Sequence, residues 1–108
     1  MIWAEARDRG VRLRVSGNEP GWYAEVQDGN SPEMRLVLHY GERDLLLPRS
    51  LPLSDALGYR AVASGDSVTL RVTGEPCSDS MSGWDFPLSA DLVVNGRQYR
   101  GCGRFFEN

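Results

Sequence analysis

The chain has 108 residues, a formal charge of −3 and an ordinary apolar fraction of 41%. That length fits one domain with a modest core, the charge gives no electrostatic case for nucleic acid, and no apolar run is long enough to span a membrane. All twelve basic residues are arginine, a bias that a GC-rich genome produces without any functional cause.

The opening MIWAEARDRG lacks the charged start and long apolar region of a secretory leader. Two readings follow: the protein is cytosolic, or its leader lies outside this chain. Residues 1–10, Trp3 included, are expected to be poorly ordered.

Alternating segments then dominate. VRLRV puts Val11, Leu13 and Val15 on one face and Arg12 and Arg14 on the other. WYAEV groups Trp22, Ala24 and Val26, and MRLVLHY groups Met34, Leu36, Leu38 and Tyr40. His39, the single histidine, alternates with these and is expected to face solvent. DLLL, residues 44–47, reads as a short buried strand. LPRSLPLSDAL carries two prolines and reads as a loop with one turn, capped at Ser54. GYRAVA and SVTLRVT alternate again, and PLSADLVV turns Leu88, Ala90, Leu92 and Val94 inward. Asn95-Gly96 is a strong hairpin signal that pairs LVV with RQY.

About eight short strands joined by tight turns predict an all-β fold over residues 1–108: a small antiparallel barrel or barrel-like sandwich. A closed barrel would leave no exposed edge.

The two cysteines stand outside the apolar runs. Cys77 lies in EPCSDSMSG and Cys102 in YRGCGRF, each just beyond a strand. Neither has a CxxC partner, and one histidine cannot complete a zinc site, so no metal is implied. Free thiols and a Cys77–Cys102 disulfide are both open on these residues. The disulfide is preferred, because both strand ends can reach one rim of a small barrel and an exported chain would be oxidised.

SGNEPGWYAEV and CSDSMSGWDFPLSADLVVNGRQYRGCG, with their spacing, resemble a group of bacterial envelope proteins, often described as lipoproteins or membrane proteins. The shared pattern is GNEP-x-W, then C-x-D-x-MS, an aromatic-Pro strand and a closing R-G-C. Here it falls on Gly17, Asn18, Glu19, Pro20 and Trp22; on Cys77, Asp79, Met81 and Ser82; on Phe86 and Pro87; and on Arg100, Gly101 and Cys102. The match spans most of Ser16–Gly103. It departs at Gly21, where an aromatic is expected. The resemblance implies export, to the periplasm or to the outer membrane by a lipid anchor in the full precursor. It brings no activity and no cofactor.

The candidate site residues are Asn18, Glu19, Asp79, Ser82 and Trp84. Paired carboxylates can do acid–base work or bind a cation, and a serine-rich loop can hold a nucleophile. The blander reading is that Asp79 and Ser82 bond the loop's own amides and Glu19 sits in a turn. GxSxG is absent, and His39 has no evident serine partner. Trp22 is expected in the core, whereas Trp84 follows Gly83 in a loop and is expected to be exposed. The expected function is a non-enzymatic interaction module whose partner is an envelope protein, in one form an inhibitor of a cell-wall hydrolase. The alternative is a small-ligand-binding or hydrolytic protein using Glu19, Asp79 and Ser82. The GNEP and CSDSMSG segments are expected side by side at one end of the barrel.

Overall fold

The computed structural model describes residues 2–107. A helix, α1 (Ile2–Asp8), precedes four strands: β1 (Val11–Asn18), β2 (Gly21–Gln27), β3 (Met34–Leu38) and β4 (Arg43–Leu47). The second half holds β5 (Leu51–Pro52), β6 (Leu57–Ala63), β7 (Asp66–Thr73), β8 (Cys77–Ser78), β9 (Asp85–Phe86), β10 (Leu88–Val94) and β11 (Arg97–Phe105).

Among the described residues nine strands form one antiparallel sheet in the order β4-β3-β2-β1-β11-β10-β7-β6-β5, curled into a half-barrel. β8 and β9 make a separate two-stranded ribbon. The all-β fold expected from the periodicity is therefore present, but the sheet does not close. β4 and β5 remain as edges. Pro52 has no N–H to extend the ladder at one of them. Across the open seam, Arg43 of β4 bonds Asp66 of β7 at 3.2 Å.

The inward residues match the alternation. Trp22, Ala24, Val26, Leu88, Ala90, Leu92 and Val94 are all buried in the main core. Asn95 and Gly96 both take positive φ, as a type I′ turn requires, and the register pairs Leu92 with Tyr99 and Val94 with Arg97.

Several expectations change. DLLL is an edge strand, not a buried one: Leu47 is buried but Leu46 is 58% exposed, because an edge strand covers only its inner face. Tyr40 does not continue β3. His39 and Tyr40 both take positive φ in a 3-10 turn, which ends the alternation and leaves Tyr40 79% exposed. His39 is half-buried and its Nε2 bonds Tyr99 Oη at 2.8 Å, so it does not face solvent as expected. The 48–56 segment is largely loop, as expected, apart from the two-residue β5; buried Ser50 anchors it through Oγ to the Pro32 carbonyl at 2.7 Å.

The N-terminal segment, expected to lack order, is the helix α1. Its Ala6 packs with Val11 and Phe106 in a second cluster, against Trp3. Val11 leaves the main core because a β-bulge intervenes. Val11 pairs with Gln27 but Leu13 with Val26, so two steps along β1 match one along β2. Arg14, on the face opposite Leu13 and Val15, is only 6% exposed because α1 covers it. Its guanidinium lies 4.7 Å from the Trp3 ring centroid and 4.6 Å from that of Tyr23. Its Nε donates to Glu25 at 3.0 Å, and Arg9 donates to both Glu25 oxygens at 3.0 Å.

Trp22 of β2 reaches across β1 to β11. Its indole N–H donates to the Arg100 carbonyl at 3.2 Å. Gly17, opposite Trp22 in the ladder, leaves room for the ring: a Cβ there would strike Trp22 Nε1 and the Arg100 carbonyl. At Gly101 a Cβ would strike the Ser16 carbonyl. Gly17→Ala is therefore expected to cost about 1–3 kcal/mol through overpacking. Thermal melting checks this, and an unchanged midpoint would show that the ring has space to move.

Candidate functional site

The GNEP turn and the CSDSMSG loop meet, as the sequence led us to expect. Cys77 and Cys102 form a disulfide with Cα atoms 5.5 Å apart. This ties the 74–87 segment to β11. The ribbon pairs Cys77 with Phe86 and Ser78 with Asp85, and the loop closes through Asp79 N to Trp84 O at 2.9 Å and Gly83 N to Asp79 O at 2.8 Å.

Asp79 organises the interior of this loop. Its Oδ1 accepts from the amides of Met81 at 2.9 Å and Ser82 at 3.4 Å. It also accepts from Asn18 Nδ2 at 2.6 Å, the bond that joins the two motifs. The Asn18 bond holds the Asp79 carboxyl below its ordinary range; partial burial opposes this, and the two amides and the Ser82 hydroxyl reinforce it. Ser82 Oγ accepts from the Trp84 amide at 3.1 Å. Both side chains thus serve the loop's own geometry, as Asp and Ser commonly do in turns.

Glu19 does not join this network. It is exposed, follows Asn18 and precedes Pro20 through a cis peptide bond. It lines an open groove of about 880 Å³ that Asp79, Arg71, Asp91 and Arg100 also border. Ser82 is not in that lining. It faces a smaller niche of about 240 Å³, shared with Ile2, Trp3, Asp79, Trp84 and Phe86. Trp84 is 47% exposed and Met81 77% exposed at the tip of the loop. Trp22, by contrast, is in the core at 4%. Among the described residues no group of three or more His, Cys, Asp or Glu is placed to hold a metal ion.

Gly21 has a structural explanation here. Its missing Cβ leaves room for the Tyr40 ring, whose hydroxyl donates to the Asn18 carbonyl at 3.0 Å. Tyr40 thus covers the GNEP turn where the resemblance led us to expect an aromatic at position 21.

Sequence reasoning missed Trp3 at this end of the molecule. Its ring centroid lies 4.8 Å from that of Phe86, so α1 flanks the disulfide loop. The signal was present in the helix-forming run WAEAR and the helical spacing of Ile2, Trp3 and Ala6.

Because Asn18, not Glu19, bonds Asp79, the energetic coupling is expected between those two. Asp79→Ala should cost about 1–2 kcal/mol, and a double-mutant cycle with Asn18→Ala should give a coupling of about 1 kcal/mol. Glu19→Ala combined with Asp79→Ala should be additive. Denaturant unfolding of the five variants and the wild type distinguishes the two pairings, and additivity for Asn18 would remove the bond's assigned role.

Comparison with protein-family models, with curated proteins and with solved structures finds no match to this chain.

Proposed function

We propose that this chain is a non-enzymatic binding module of the bacterial cell envelope. In this reading it works in the periplasm or on the outer membrane through a lipid anchor, and its partner is a cell-wall hydrolase that it inhibits. The observation that carries the reading is the pinned loop. A disulfide, a ribbon and the Asp79 bonds hold the backbone, while Met81 and Trp84 point outward. Exposed apolar side chains on a rigid rim are a common form of protein-binding surface. The disulfide supports an oxidising compartment. No helix among the described residues is long and apolar enough to cross a membrane.

The test is inhibition of c-type and g-type lysozymes by the purified protein at micromolar concentration. Trp84→Ala is expected to weaken inhibition about tenfold, as loss of an aromatic anchor does. Absence of inhibition across several cell-wall hydrolases would remove the inhibitor form of the proposal.

A second reading, a small-ligand-binding or hydrolytic protein, draws support from the groove that Glu19 and Asp79 share. Glu19→Gln separates the two: it should leave hydrolase inhibition intact and abolish binding of any ligand seated in the groove.

A further inference from the structure

The niche between α1 and the disulfide loop has a composition that a purely apolar docking site would not need. Trp3, Trp84 and Phe86 bring three aromatic rings to it, Asp79 a carboxylate and Ser82 a hydroxyl. We propose that this niche receives a cationic side chain, the guanidinium of an arginine on the protein partner. That the arginine belongs to a protein rests on the binding-module reading above.

Aromatic faces carry negative electrostatic potential and attract a cation set over them. The carboxylate adds a formal charge of opposite sign. Three donors converge on Asp79 Oδ1, and none of those three bonds uses Oδ2. A neutral apolar side chain seated here would strip water from that charge without replacing it, which is costly. A quaternary ammonium would suit the rings but offers no N–H to the carboxylate or to the Ser82 hydroxyl. A guanidinium does both, stacking by its plane and donating from its edge.

The same molecule already holds a guanidinium in this way. Arg14 lies between the rings of Trp3 and Tyr23, and the Glu25 carboxylate takes its Nε–H at 3.0 Å. The niche repeats that arrangement, aromatic rings with one carboxylate, on the open side of Trp3's end of α1. The chain's charge of −3 also favours encounter with a basic partner.

The three tryptophan indole N–H resonances provide the assay, with Trp22 as an internal reference because its N–H is bonded inside the core. A hexa-arginine peptide should shift the Trp84 and Trp3 signals saturably, with a Kd on the order of millimolar or tighter, and leave Trp22 still. The uncharged citrulline counterpart should bind at least about fivefold more weakly, and added salt should weaken the arginine peptide. Asp79→Asn keeps an oxygen for the loop amides and should weaken the peptide about fivefold. Trp84→Ala, at an exposed position, should abolish the peptide-induced shift of the remaining Trp3 signal without unfolding the chain.

Equal binding of the citrulline peptide, or no movement of Trp84, would overturn the proposal. So would binding of phosphatidylcholine vesicles without any arginine response, which would assign the niche to a lipid headgroup. If hydrolase inhibition persists while Trp84 ignores arginine, this inference fails and the module reading stands. If the peptide binds but no hydrolase is inhibited, the niche keeps its ligand and the hydrolase is removed as partner.

Discussion

Reduction of the Cys77–Cys102 disulfide is expected to lower the unfolding free energy by about 3–4 kcal/mol. The bond closes a loop with a sequence separation of 25, and in the chain-entropy account a cross-link of that span removes about this much freedom from the unfolded chain. For a chain this short the loss is a large part of total stability. The effect should also be local. β8 and β9 contribute two residues each, too little to persist as an isolated ribbon. Phe86 would lose its fixed seat beside Trp3, and the Asn18–Asp79 bond would lose its anchor. Paired urea titrations of oxidised and reduced protein measure the first effect. The Trp84 indole signal and hydrolase inhibition report the second. Identical midpoints with and without reductant would mean that the core alone holds the loop.

Replacing Glu25 by glutamine should cost about 3–5 kcal/mol. Glu25 is 4% exposed and Arg14 6% exposed, so neutralising Glu25 leaves a buried guanidinium charge without its counter-ion. Arg9 is a lesser partner energetically, since its side chain is 54% exposed and water can take over its bonds. A double replacement, Arg14→Met with Glu25→Leu, should recover most of the loss, because well-packed apolar residues often substitute for a buried pair at little cost. If Glu25→Gln unfolds at the wild-type midpoint, the buried pair between β1 and β2 does not contribute to stability.

The same carboxylate predicts a pH dependence. Burial pushes the Glu25 carboxyl up, but the hydrogen bonds and charges of Arg9 and Arg14 outweigh it and the net direction is downward. A carboxyl held lower in the folded state than in the unfolded one adds stability above the unfolded value of about 4.3, and that stability is lost as pH falls through the folded value. Asp79, also held low, contributes with the same sign. Stability should therefore fall on acidification in the wild type and fall less in Glu25→Gln. Equal acid sensitivity in both would assign the loss to other carboxylates.

Much of this architecture is local and is written in the sequence. Alternation sets which side chain faces which side of a strand, so Trp22, Ala24, Val26 and the Leu88–Val94 series could be placed inside from spacing alone. Asn95-Gly96 fixes its hairpin because few residue pairs tolerate two positive φ angles in succession. The cysteine positions left free thiols and a disulfide both open, with the disulfide preferred, and the structure forms it; the self-bonded reading of Asp79 and Ser82 also matches their bonds to the loop amides. Contacts between distant segments decided the rest. Whether the sheet closes depends on its two ends meeting, and no single strand records that β4 and β5 stay apart. Arg14 falls by alternation on the face opposite Val11, Leu13 and Val15, but alternation says nothing about a helix laid over that face. Its burial exists only through Trp3, Tyr23 and Glu25 together. Asn18 and Glu19 are neighbours of similar reach, and only the tertiary fold decides which one meets Asp79. A carboxylate already solvated by loop amides gains a further donor from the amide of Asn18, whereas a second carboxylate at that place would add repulsion.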